Sequence, residues 1–337
     1  MVDIDWDNLG FDVTPTKSMF RATCLENSKW EHGGLIPFGN IELSPAANVL
    51  NYGQGAFEGV KAFRTAKGNV VLFRVDKNAA RMAFSTKRLC IPEMDTDFFI
   101  DAVTKVVKDN IEYVPPHGQG SLYIRPVVWG TSAGIGVKPA SEYTFMIFVT
   151  PVGPYFKKGI NPLSLKITSQ FHRAAPKGIG NIKAIGNYSA SLYPLTEAKK
   201  EGFDEVIYLD AAREEIIEEV GSANFFIFQD GKIKTPSLSG SILGGVTRDS
   251  VCLVAREILG ISVEETDIYI KDIENSDEIF CTGTAVVVCP IGRVTFKGKT
   301  HVINKNTMGP ITKKIRETIL SIQNEEIKDT HNWLRHI

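Results

Sequence analysis

Apolar positions along this chain follow two periods, and the switches between them mark the elements. After Asp76, residues Ala79, Ala80, Met82, Ala83 and Leu89 recur at helical spacing and form one apolar face. A second helix is predicted after Asp95-Thr96, a pair suited to capping, with Phe98, Ile100, Val103 and Val107 turned inward. Runs rich in β-branched and aromatic residues over 121–129 and 143–150 read as strands. Further on, the pattern predicts a helix over 189–201 stopped by Gly202, then strands at 205–209, 214–220 and 225–228. A turn at 229–232 precedes Ile233, a helix spans 247–259 with Gly260 as its stop, a strand covers 279–282, and a helix follows Pro310.

A chain of 337 residues exceeds the size at which one core usually stops growing, so two domains are expected. Residues 151–162 hold three prolines and two glycines, which places a linker at 153–162 between domains 1–152 and 163–337. Hairpin-joined strands with helices alongside suggest an α+β class rather than a doubly wound sheet.

Composition narrows the function classes. With 43% hydrophobic and 23% charged residues this is an ordinary globular chain, and a net charge of −1 argues against a nucleic-acid partner. No window approaches the roughly 18 apolar residues of a membrane span. The acidic start, Asp3-Ile4-Asp5-Trp6-Asp7, resembles neither a secretory signal nor a transit peptide, so a cytoplasmic protein is expected. Five scattered cysteines read as buried thiols in a reducing compartment, and six histidines without a His-x-x-x-His pair give a metal site little support.

Three segments could carry chemistry. Lys183 is flanked by Ile182, Ala184 and Ile185; an ammonium in such surroundings is costly, and burial lowers its pKa and makes the amine nucleophilic. The plainer reading is a lysine whose stem packs while its head reaches water. Tyr188 would lie on the opposite strand face, unless a turn at Gly186-Asn187 brings the two together. The second segment, 214–224, carries four glutamates; whichever face is buried holds Glu218 or Glu219, and spacing does not choose. A buried carboxylate there needs a cation, either a structural arginine or a protonated pyridine nitrogen. The third, Ser239 to Arg248, opens a helix with glycines whose amides suit a phosphate. A small-residue turn at Gly283-Thr284-Ala285 could do the same. Tight turns alone explain either. Gly130 to Gly136 lacks dinucleotide spacing, and no Gly-x-Ser-x-Gly elbow occurs.

Taken in order, these segments resemble the class IV (fold type IV) aminotransferases, and among them the branched-chain amino acid aminotransferases. The resemblance also rests on Tyr52 to Arg64, Asn78 to Met82 and Leu122 to Val127, and runs from about Trp6 to the C-terminal helix. It implies an α+β fold with a smaller N-terminal and a larger C-terminal domain and pyridoxal 5'-phosphate between them. It implies that Lys183 forms the Schiff base, that Tyr188 bonds the cofactor's phenolic oxygen, and that Glu219 faces the pyridine nitrogen. Arg81, the amides of Val246 and Thr247, and the Thr284 side chain match the phosphate site, and Ser222 stands where many relatives have Thr. The amides of Thr284 and Ala285 would take the substrate's α-carboxylate. Phe57, Tyr52 and Tyr123 match the side-chain pocket, with Tyr52 from a partner subunit of a homodimer, and Arg125 matches the residue for the distal carboxylate of glutamate.

The implied reaction is reversible transfer of the amino group of L-leucine, L-isoleucine or L-valine to 2-oxoglutarate, giving branched 2-oxo acids and L-glutamate. Some relatives carry a Cys-x-x-Cys pair after the Gly-Thr-Ala turn; here Val286 replaces the first cysteine and only Cys289 remains, so no switch of that kind is expected. The rival readings are a D-amino acid aminotransferase or aminodeoxychorismate lyase of the same fold, and a non-catalytic small-ligand binder.

Overall fold

The computed structural model describes residues 4–153 and 160–337, so 154–159, most of the expected linker, lie outside the described residues. By contacts the chain divides into two compact units. The first is Met1–Tyr155 with Ile182–Gly186 and Ser321–Ile337; the second is Phe156–Asn181 with Asn187–Leu320.

An eight-stranded antiparallel sheet organises the first unit. Its order is Leu334–His336, Val70–Phe73, Val60–Arg64, Ser121–Gly130, Glu142–Val152, Ser18–Leu25, Gly33–Pro37, with Gly55–Phe57 paired on Ser121–Gly130. The two long strands match the predicted ones and run one to three residues further. Helices Val75–Arg88 and Thr96–Asp109 pack with it. The second starts where expected because the Asp95 carboxylate accepts the amides of Asp97 at 2.9 Å and Phe98 at 3.1 Å. Its apolar face, Phe99, Val103, Val106 and Val107, is fully buried against Phe20, Leu122 and Phe145.

In the second unit six strands close into a barrel. Leu163–Thr168, Glu205–Leu209, Ile216–Val220, Ala223–Gln229, Glu278–Gly283 and Val287–Phe296 form a ring, since Ile216–Val220 pairs with both Glu205–Leu209 and Ala223–Gln229. Leu165, Ile207, Ile217, Phe225, Ile279 and Ile291 fill it. Glu278 sits at the start of one barrel strand and takes over the N-terminus of helix Pro310–Gln323. It accepts Ile311 N at 2.9 Å, Thr312 N at 2.8 Å and the Thr312 hydroxyl at 2.6 Å.

Two expectations are corrected. The helix predicted over 189–201 is two helices, Ile185–Ser189 and Leu192–Lys200, because Pro194 has no amide to continue the ladder back to residue 190. The helix predicted over 247–259 is α-helical over Val246–Leu253 and then widens into a π-helical turn at Val254–Ile258. Ile182–Gly186 joins the first unit through an Ala56–Ala184 bridge, and the C-terminal tail returns to it as strand Leu334–His336 on Val70–Phe73. Among the described residues no helix is long and apolar enough to cross a membrane.

One carboxylate pins the tail. Glu325 accepts the Thr65 hydroxyl at 2.7 Å and the Asn69 amide at 2.8 Å, and its other oxygen lies 3.0 Å from His336 Nε2. Burial alone would raise its pKa, but bonds from Asn69, Thr65 and His336 outweigh burial and bring it down to about 2. A carboxylate depressed in the folded state stabilises fully above its ordinary value and loses that contribution as pH falls. The tail strand should therefore loosen between about pH 4.5 and pH 2, read as faster amide exchange across Leu334–His336. A Glu325→Gln variant should lose that pH dependence; identical profiles for the two proteins would refute the pinning.

Candidate active site

In the first unit, Lys183 stands beside the strand Gly55–Phe57. Its carbonyl accepts Phe57 N at 3.1 Å and its own amide donates to the Ser85 hydroxyl at 3.2 Å, so the backbone is fixed on both sides. The side chain is half-buried and carries Nζ to 4.6 Å from the centroid of the Phe57 ring. Helix Ile185–Ser189 begins two residues later and contains Tyr188, half-buried; the strand-and-turn geometry considered for this stretch is replaced by a helix.

Beneath Phe57, Glu58 is completely buried. Arg81 grips it with Nε on Oε1 at 2.7 Å and Nη2 on Oε2 at 2.8 Å, and Asn78 adds an amide bond at 2.7 Å. Burial pushes the Glu58 carboxyl toward neutrality, but the Arg81 charge and bonds, the Lys183 charge and the Asn78 bond outweigh it and hold its pKa below the usual value. Sequence reasoning gave Glu58 no role; its signal is the arginine at a distance of one helix, which spacing does not reveal.

Phe57 and Tyr123 share a sheet face with Arg125. The guanidinium carbon lies 4.8 Å from the Phe57 centroid and 5.3 Å from that of Tyr123, and Nη2 donates to the Tyr123 hydroxyl at 3.1 Å. Gly59 permits this arrangement, since a Cβ there would lie 2.5 Å from the Tyr123 hydroxyl. Lys183, Phe57, Arg81, Tyr123 and Arg125 are thus one neighbourhood. Tyr52 is directed elsewhere: it is exposed, and its hydroxyl donates to the carbonyl of Ile135.

In the second unit, strand Ile216–Val220 is buried on both faces, so Glu218 and Glu219 are both buried. A register shift between Ile217 and Glu219 breaks the simple alternation. Their partners differ. Glu219 Oε1 accepts Arg173 Nη2 at 2.6 Å and Leu243 N at 2.8 Å. Glu218 accepts the Ser241 hydroxyl, while its Oε2 has no partner among the described residues. Burial above all, with repulsion from Asp210, pushes the Glu218 carboxyl up, against the pull of Ser241 and Arg173. Arg173, which also donates to the carbonyls of Gly180 and Ser241, was not signalled by the sequence.

Helix Val246–Leu253 begins after Gly245 with no side-chain cap, so its first amides, including those of Val246 and Thr247, lack the usual internal partner. A Cβ at Gly245 would collide with Asn224 Oδ1, and Asn224 in turn donates to the Leu243 carbonyl at 2.8 Å. Ser222 is exposed at the strand end, and a Cβ on Gly283 would sit 3.6 Å from its carbonyl, so the Ser222 and Thr284-Ala285 turns are neighbours. Cys289 faces Cys281 across the barrel strands, and contact with Cys289 together with burial pushes the Cys281 thiol well up; all five cysteines are free. Among the described residues no cluster of His, Cys, Asp and Glu could hold a metal ion.

The family model of amino-transferase class IV matches residues 55–294. The chain belongs to this family. The aminotransferase is similar to the chloroplastic branched-chain amino acid aminotransferase 2 of Humulus lupulus, 46% identical over 333 residues that cover 99% of this chain and 81% of that protein. Among solved structures it resembles the branched-chain amino acid aminotransferase of Escherichia coli at 28% identity, with a TM-score of 0.82 over 95% of this chain and 98% of that one. The T.th. branched-chain amino acid aminotransferase complexed with N-(5'-phosphopyridoxyl)-L-glutamate is 27% identical, with a TM-score of 0.78 over 96% and 99%. The fold is accordingly the α+β fold type IV of these enzymes.

Removing one partner of a buried ion pair strands the other charge. Glu58→Ala should destabilise the first unit of the aminotransferase by about 3–5 kcal/mol. Chemical unfolding followed by tryptophan fluorescence measures this, and a loss below about 1 kcal/mol would show that Arg81 finds another partner.

Proposed function

We propose that this aminotransferase uses pyridoxal 5'-phosphate to move the amino group of L-leucine, L-isoleucine or L-valine to 2-oxoglutarate. The observation that carries the reading is Lys183: its backbone is tied to Phe57 and Ser85, and its amine lies against an aromatic ring beside a buried carboxylate–guanidinium pair. The donor chemistry fits the cofactor. An amine for its aldehyde, the uncapped amides of Val246 and Thr247 with Arg81 and Thr284 for its phosphate, and Glu219 for its pyridine nitrogen are all present. When bound, the cofactor supplies an electron sink for the bond broken at the substrate's Cα.

The chain's residues then have separable tasks. With the cofactor bound, the Lys183 amine would hold its aldehyde and would be the base for the substrate's Cα proton. Glu219, itself oriented by Arg173 and Leu243 N, keeps a proton on the pyridine nitrogen. Tyr188 and Ser222 complete the cofactor's surroundings. The amides of Thr284 and Ala285 hold the α-carboxylate. Phe57 and Tyr123 offer an apolar wall to a branched side chain, while Arg125 at its edge meets the distal carboxylate of glutamate, which would otherwise be desolvated without a partner.

We also propose a homodimer in which Tyr52 serves the partner's pocket. Tyr52, Leu50, Ile135 and Val137 are exposed apolar residues of one unit, the last two 89% and 88% exposed, and Tyr52 and Ile135 are hydrogen-bonded to each other. Light scattering should give twice the chain mass. The free thiols fit a reducing compartment, proposed as the cytoplasm beside a relative named chloroplastic; cell fractionation decides.

The deciding experiment is a visible spectrum after adding pyridoxal phosphate, followed by L-leucine or D-alanine. Wild type should turn yellow and bleach with L-leucine only, and borohydride should fix the cofactor's mass on Lys183; Lys183→Ala should do neither. Colourless protein would favour a non-catalytic binder, and bleaching by D-alanine a D-amino acid enzyme. Arg125→Met should weaken 2-oxoglutarate and glutamate by roughly a hundredfold while leucine changes by less than about threefold. Equal losses would remove Arg125 from carboxylate recognition.

A further inference from the structure

The turn after strand Glu278–Gly283 is a three-residue loop, Thr284-Ala285-Val286, because Gly283 pairs with Val287. Tight hairpin connections commonly use one residue in the left-handed region, where glycine is usual. Here that residue is Val287, with φ at +61°. For a β-branched side chain this is an outlier that persists only where surrounding contacts impose it.

Arg316 supplies those contacts. It projects from helix Pro310–Gln323, whose start is fixed by Glu278 at the foot of the same hairpin. Its Nη1 donates to the carbonyl of Val286 at 2.6 Å and to that of Val288 at 2.7 Å, the two carbonyls flanking Val287. Its charge is held by these two carbonyls at the base of the turn.

We infer that Arg316 is a positioning residue for the anion-binding turn: by holding both carbonyls it keeps Val287 left-handed and aims the Thr284 and Ala285 amides at the substrate's carboxylate. This rests on the reading of that turn proposed above. The left-handed Val287 then sets a loop shape that the two Arg316 bonds stabilise. The loop and its clamp come from segments about thirty residues apart, and the helix acts through backbone carbonyls without touching the substrate.

The test uses holoenzyme and 4-methylpentanoate, which is leucine's carboxylate and side chain without the amine, titrated through the cofactor's visible absorption. Arg316→Met should weaken 4-methylpentanoate binding by about tenfold to a hundredfold. Adding Val287→Gly, for which the left-handed conformation costs nothing, should recover the affinity to within about threefold of Val287→Gly alone. A clamp that served only folding would lower the thermal midpoint and leave the dissociation constant unmoved. If Arg316→Met does not fold, Arg316→Lys replaces it, with an intermediate loss and the same recovery by glycine. An unchanged dissociation constant in the arginine variant, or a double variant as weak as the single, overturns the inference. Wild-type protein that takes up no pyridoxal phosphate overturns the functional reading and this one together.

Discussion

A carboxylate with no access to water must be neutralised where it stands, and Glu58 imposes that demand on the first unit. Meeting it fixes Arg81 on helix Val75–Arg88 through two parallel bonds and Asn78 one turn earlier, so the helix has one register against the strands. The residue before Glu58 is then fixed too, and Phe57 carries both the Lys183 backbone and the ring under its amine. The second unit pairs one buried acid with a cation and satisfies another with amides and a hydroxyl. Glu219 holds Arg173 and the Leu243 amide, and Glu278 holds the start of a helix. Each buried acid ties a strand to a segment remote in sequence.

Much of the fold was legible because local pattern and tertiary structure agree. Helix Thr96–Asp109 has its cap, its apolar face and its length written locally, and Ser121–Gly130 and Glu142–Val152 are dense with β-branched and aromatic residues. Disagreement arose where a single residue overrode the pattern. Pro194 split a helix whose apolar period continued across it, since period records faces and not missing amides. The tail strand, three residues long, has too little pattern to declare itself; Glu325 and the Arg74–Trp333 contact place it. Closure of the barrel depends on the pairing of Leu163–Thr168 with Val287–Phe296, a relation between distant segments that no window contains.

The residues assigned to the site divide in the same way. Lys183 was visible because an ammonium among Ile182, Ala184 and Ile185 is locally anomalous. Glu218 and Glu219 could not be separated by alternation, because both faces of their strand are buried and the register shifts between them; their partners distinguish them, one paired with Arg173 and the other left with an unbonded oxygen. Glu58, Arg173 and Arg316 have no local anomaly at all. A charged residue gains significance from what it meets, and that is decided by the fold.

The arginines of this chain show what those meetings mean for anions. Arg81 and Arg173 spend their charge on buried carboxylates, so each pair is close to neutral and offers direction more than attraction. In the second unit the uncapped start of helix Val246–Leu253 presents backbone amides that suit an anion without any side-chain charge. Arg125 and Arg316 are held differently, one by aromatic faces and a tyrosine hydroxyl, the other by two carbonyls. Neutral partners orient a guanidinium without cancelling it. The charge of Arg125 is thus left for the distal carboxylate proposed for it, while Arg316 shapes a turn in the second unit; an enzyme that must accept leucine and glutamate in turn needs attraction at that carboxylate and rigidity elsewhere.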